Sequence, residues 1–250
     1  MRIRFHIYTL ALLFLLPVTQ SMANTVLVFD PPTSKNDRQA KRLIESISKD
    51  MVQLVNAEMP VPEILTIRYG NLDGPLFDPQ TLTIQMPYQF VHYAKERFDS
   101  VPPSQEDLTS NEATEAAVLH TLLHEYGHAY LALWDFPALG KEEDAVDNFA
   151  TLMMLHYYND DMAYAGVDLF AIEDMDTEYF DDVAMWDEHS LDGQRYAQSL
   201  CLIYGSNPKK YADIMDEDLI EMERDQFCPY EFELQTRNWM RVIEMLNENE

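Results

Sequence analysis

Residues 119–131 (LHTLLHEYGHAYL) place His124 and His128 four positions apart, with Glu125 directly after the first. On a helix, residues four apart share one face. Two imidazoles presented this way can ligate one Zn²⁺ ion, and a glutamate beside the first can take a proton from water that the metal activates. His120 lies one turn earlier, so three histidines stand in one row. One ion cannot take both ends of that row: eight residues rise about 12 Å, against Zn–N bonds of about 2 Å. Only the 124/128 pair has a glutamate after its first member, since Thr121 follows His120. His124 and His128 are therefore the expected ligands, Glu125 the expected base and His120 a core or hydrogen-bonding histidine. Gly127 costs about 1 kcal/mol of helix propensity against Ala and is expected to leave room beside the metal. His92 and His156 belong to no motif and read as structural.

A catalytic zinc site usually takes three protein ligands and leaves one position to water. After Pro137 and Gly140 break the first helix, residues 141–150 (KEEDAVDNFA) resume one, with Glu143 and Asp147 four apart on one face. This arrangement resembles that of the gluzincin metallopeptidases. The resemblance implies that Glu143 is the third ligand and that Asp147 receives the far N–H of His124, a contact that fixes tautomer and ring orientation. Glu142 and Asp144 read as solvated acids favoured by the helix N-terminus. Peptide hydrolysis also needs a group that stabilises the developing oxyanion. The same resemblance points to a downstream His or Tyr, which makes His189 the expected partner of Glu125. Asp187 and Glu188 before it would favour its protonated form, and Arg195 and Tyr196 are alternatives.

A closer resemblance is to the bacterial metallopeptidases of the domain-of-unknown-function 4344 group. It rests on residues 124–155, on residues 187–191 (DEHSL) with Gln194-Arg195 and 201–205 (CLIYG), and on residues 224–239, which contain Cys228, Glu231 and Trp239. These stretches span most of residues 119–240. The first carries chemistry; the other two mark the group without an assigned role. Strong acidity sets this chain apart from the group's commoner look.

The elements that must position these residues follow from periodicity. Residues 25–29 (TVLVF), 64–69 (ILTIRY) and 81–86 (TLTIQM) read as strands, with Gly70, Gly74 and Pro75 as turn chemistry. Residues 36–58 carry apolar positions at helical spacing, and Pro60 and Pro62 stop them. Residues 88–98 read as helical. Helices are then expected over 111–133, 142–158, 194–204 and 231–246. Strands early and helices late predict an α+β, zincin-like architecture: a small N-terminal sheet with helices, then a mainly helical C-terminal lobe. Residues 81–86 are expected to form the edge strand beside the active-site helix, open to an extended peptide.

Arg2 and Arg4, the apolar run 7–16 (IYTLALLFLL) and the small residues around Ala23 read as a signal peptide over 1–23, cleaved after Ala23. The run is too short to span a bilayer, which takes roughly 20 residues. A periplasmic or secreted protein without stable membrane insertion is the expectation. Residues 24–108 would form the N-terminal α/β part and 109–250 the helical part carrying the zinc site, as one catalytic unit. Two cysteines, Cys201 and Cys228, fit either a disulfide, favoured by export and by the family resemblance, or two buried thiols. The formal charge is -27; loss of two Arg and no acid on cleavage takes it to -29. Such a surface repels phosphate backbones and anionic membranes. The expected partner is a peptide or protein substrate, not nucleic acid. The competing reading is an exported binding or assembly protein that keeps a metal-stabilised zincin fold, and hydrolysis of a non-peptide amide is a third.

Overall fold

The computed structural model describes residues 25–105, 107–175, 188–212, 214 and 226–248. The 1–23 segment and Asp187 lie outside them. Along the chain run β1 (Val26–Phe29), α1 (Lys35–Glu58), β2 (Thr66–Gly70), β3 (Leu76–Asp78), β4 (Thr83–Pro87), α2 (Tyr88–Ser100), α3 (Ser110–Leu133), α4 (Glu142–Tyr157), α5 (Asp160–Asp174), α6 (Asp192–Ser206) and α7 (Cys228–Glu248). The architecture is α+β, with the sheet at the N-terminal end and helices making up the rest. No helix among the described residues is long and apolar enough to cross a membrane.

The sheet order is β1-β2-β4-β3, with β1, β2 and β4 parallel and β3 antiparallel along the edge. This corrects the expected edge. β4, read from 81–86, is an interior strand, and the three-residue β3 flanks the active-site helix instead. Three residues between Pro75 and Pro79 are too few to show alternation, so pairing with β4 is what makes them a strand. The inner face buries Ile67, Tyr69, Ile84 and Met86 completely, while Arg68 points to solvent. Against this face pack Ile44, Met51 and Val55 of α1, a helix started by a capping box between Ser34 and Asp37.

α3 is the central element. A capping box between Thr109 and Glu112 starts it, and it is buried along most of its length. A helix apolar all round belongs in the middle of a fold, and α1, α2, α4 and α5 surround α3. Its end differs from the expected Pro and Gly stop. Asp135 takes a left-handed conformation at φ 50, the Phe136 N–H donates to Leu131 O, and the Asp135 N–H donates to Ala132 O. This double bond pattern closes a helix at a left-handed residue, which Asp tolerates better than most side chains.

One core runs from Ala40 to Leu246 and joins sheet and helices. A second cluster holds Val167 and Phe170 of α5 against Leu200 and Ile203 of α6 and the Cys201–Cys228 disulfide, which ties α6 to the start of α7. Gly205 lets the helices meet there, because a Cβ would strike the Cys228 backbone. On α5, buried Asp168 accepts from the N–H and Oγ–H of Ser104 at 2.9 and 2.8 Å and so anchors the loop between α2 and α3.

Reducing the disulfide opens a loop of sequence separation 27, and loss of its closure is expected to cost about 3 kcal/mol in denaturant unfolding. Equal midpoints with and without reductant would count against a stabilising bridge. Asp168 supplies a second expectation. Burial lifts its pKa to about 6, more than its bonds to Ser104 lower it. The folded protein therefore holds that proton longer than the unfolded chain. The stability contributed by Asp168 falls as pH rises from about 4 to about 6, by about 3 kcal/mol in all, and the loss persists above that window. Asp168→Asn should flatten this stretch of the stability–pH curve; an unchanged slope would refute the assignment.

Candidate active site

α3 and α4 cross so that residues from both point into one cleft beneath β3. Imidazole tautomers set the chemistry there. Asp147 Oδ1 accepts from His124 Nδ1–H at 2.7 Å, and Glu142 Oε1 accepts from His128 Nδ1–H at 2.8 Å. Each imidazole thus donates its Nδ1–H to a carboxylate and turns Nε2 inward, leaving the two Nε2 atoms 3.2 Å apart. Two nitrogen lone pairs so close repel unless a proton or a cation lies between them. Glu143 completes the triangle: Oε2 is 3.2 Å from His124 Nε2, and Oε1 is 3.3 Å from His128 Nε2. Tetrahedral bonds of about 2.0–2.1 Å place donor atoms about 3.3 Å apart, so these three residues fit such an ion. Glu143 Oε2 is buried and makes no aligned hydrogen bond despite its near nitrogens. The donor atoms of His124, His128 and Glu143 thus lie 3.2–3.3 Å from one another.

The family described as "Putative metallopeptidase", DUF4344, matches residues 29–243. The chain belongs to this family. No curated protein and no solved structure matches it.

The DUF4344 site is strongly coupled. Burial alone would lower the pKa of His124, but Asp147 and Glu143 outweigh it and the net shift is upward. Burial opposes protonation of His128 too, yet Glu143 and Glu142 lift it to about 9. Glu143 is pushed up by burial and pulled far below the carboxylate range by the three histidines around it. Asp147 is likewise raised by burial and lowered further by Arg195 and His124. Glu125 ends up raised: its desolvation exceeds the pull of His124 and His128. The Phe77 N–H of β3 donates to its carboxylate, tying the expected base to the edge strand.

His189 reaches the same cleft from the turn before α6. Its Nε2 lies 3.0 Å from Glu143 Oε2, and its ring stacks on His124 at a centroid distance of 5.9 Å. Glu188 lines the cleft beside it. Ser190 holds this turn in place by donating to Asp144 Oδ1 at 2.6 Å. The two alternatives for oxyanion contact are elsewhere. Arg195 gives Nε and Nη2 to Asp147 at 2.7 and 2.8 Å, and Tyr196 packs on the second core cluster. His120 faces the core, 3.1 Å from Thr151 Oγ1, and burial lowers its pKa to about 3, so it is neutral. His92 pairs with Asn36 on the far side of α2, and His156 is exposed on α4.

Glu142 and Asp144 stand in the first turn of α4 as expected, Glu142 half exposed, and they have a second role, since they also bond His128 and Ser190. Nothing local distinguishes them from ordinary first-turn acids; their roles arise from where α3 and α6 pass. Gly127 is corrected. A Cβ there would come within 2.9 Å of Val146 Cγ1, 3.0 Å of Val146 Cβ and 3.1 Å of Phe149. The glycine makes room for α4, not for the metal. Gly127→Ala is expected to destabilise the protein by about 1–3 kcal/mol through overpacking, although alanine is the better helix former. Thermal unfolding measures this, and an unchanged or raised midpoint would overturn the packing account.

Proposed function

We propose that this chain is an exported zinc-dependent metallopeptidase that hydrolyses peptide bonds in a peptide or protein substrate. The observation that carries the reading is the convergence of His124 Nε2, His128 Nε2 and the Glu143 carboxylate on one point, with Glu125 buried beside it. Three nitrogen and oxygen donors at tetrahedral spacing, with the fourth direction facing a cleft, suit a catalytic zinc site. Lewis acidity is what zinc supplies there when bound, acidifying the attacking water and polarising the carbonyl.

Glu125 takes the proton from that water and returns it to the leaving amine. Its raised proton affinity suits both halves of the task. β3 offers an open edge along which an extended peptide can pair. Pro75, Leu76, Phe77, Pro79 and Ala132 form the apolar part of the cleft. His189, whose side chain is 39% exposed, has room to donate to the oxygen that gains charge. Export to a periplasm or beyond the cell rests on the basic, apolar and small-residue order of residues 1–23.

The test is elemental analysis and a peptidase assay on residues 24–250. About one zinc per chain is expected. Glu143→Ala should lose the metal. Glu125→Gln should keep it while peptide hydrolysis drops by at least about 10²-fold. Equal turnover by wild type and Glu125→Gln would leave a metal-stabilised binding protein as the better description.

A further inference from the structure

We propose that Arg195 is a positioning residue of the metal centre: its guanidinium fixes the carboxylate of Asp147 in the plane that presents His124 to the ion. The inference rests on the reading of His124 as a ligand.

An aspartate does not define its own carboxylate plane, because its terminal torsion is broad and roughly two-fold. Asp147 has its plane defined for it. Arg195 Nε meets Oδ2 at 2.7 Å and Nη2 meets Oδ1 at 2.8 Å, a planar two-point contact that lysine cannot make. The same Oδ1 accepts His124 Nδ1–H at 2.7 Å. Shared with a guanidinium, the aspartate accepts from the imidazole without competing for its proton.

The arginine is itself held. Its guanidinium lies 4.0 Å from the centre of the Phe170 ring on α5, and that ring meets His120 edge-on at 5.5 Å. Side-chain exposures of 14% for Arg195 and 7% for Asp147 keep water from loosening the pair. Because Arg195 and His189 flank the start of α6, docking the arginine on α4 also sets the turn that carries His189 over Glu143. The chain of contacts Arg195–Asp147–His124 thus links α6, α4 and α3.

A thermodynamic cycle tests this. Zinc affinity is measured by competition with a chromophoric chelator for wild type, Arg195→Ala, Asp147→Ala and the double variant, together with apo-protein unfolding midpoints. Arg195→Ala should weaken zinc about tenfold, within the range known for partners outside the ligand shell. In the Asp147→Ala background the same change should have almost no further effect, since its route is gone. A merely structural arginine would lower the apo midpoint and leave the affinity unchanged. Arg195→Lys, which keeps charge and stem, covers the case in which the alanine variant does not fold; it too should bind zinc several-fold more weakly. Wild-type affinity in a folded Arg195 variant, or additive losses in the double variant, would overturn the proposal. Failure of the wild type itself to bind zinc would instead sink the function on which it rests.

Discussion

The whole site depends on how closely α4 approaches α3. Glu143 and Asp147 face His124 because the two helices cross at Gly127, where Val146 and Phe149 fill the space a side chain would take. Helix–helix separation is set by the residues at the contact point, and here the smallest residue sits between the two histidines. From that contact the donor distances of 3.2 and 3.3 Å follow. The central helix meets this demand by being buried along most of its length.

That burial makes the electrostatics demanding. A desolvated carboxylate is tolerated only with a partner, and the site satisfies each in turn. Glu143 lies among three histidines and Asp147 between His124 and Arg195, while the half-exposed Glu142 bonds His128 and Asp144 bonds Ser190. The histidines gain the most: their inward nitrogens are set free because their outward ones are spoken for. In a chain of net charge -27, acids were abundant; what the fold contributes is a donor for Glu142, Asp144 and Asp147 and a ring of histidines for Glu143. Glu125 differs from Glu143 and Asp147: its desolvation outweighs the pull of the histidines, so its proton affinity is raised rather than lowered.

The surrounding scaffold serves position more than chemistry. β3 contributes an edge and one N–H to Glu125, although it spans three residues. α5 packs against α3 and backs Arg195 with Phe170, and the disulfide joins α6 to the start of α7.

β3 and α5 were not legible in the chain itself, but most of the strands and helices, the shared face of His124 and His128 and that of Glu143 and Asp147 were. Each is a local matter: periodicity within one element, or adjacency of a glutamate to a histidine, needs no knowledge of neighbours. Tertiary structure alone decided the rest. Arg195 and Asp147 stand 48 residues apart, Ser190 and Asp144 46, and no repeat within a helix says which other helix will cross it or at what angle. Glu142 acquired a role because α4 begins beside His128, Gly127 because Val146 presses on it, and β3 became a strand only by pairing with β4. Spacing along a chain specifies a face; the packing of faces specifies a site.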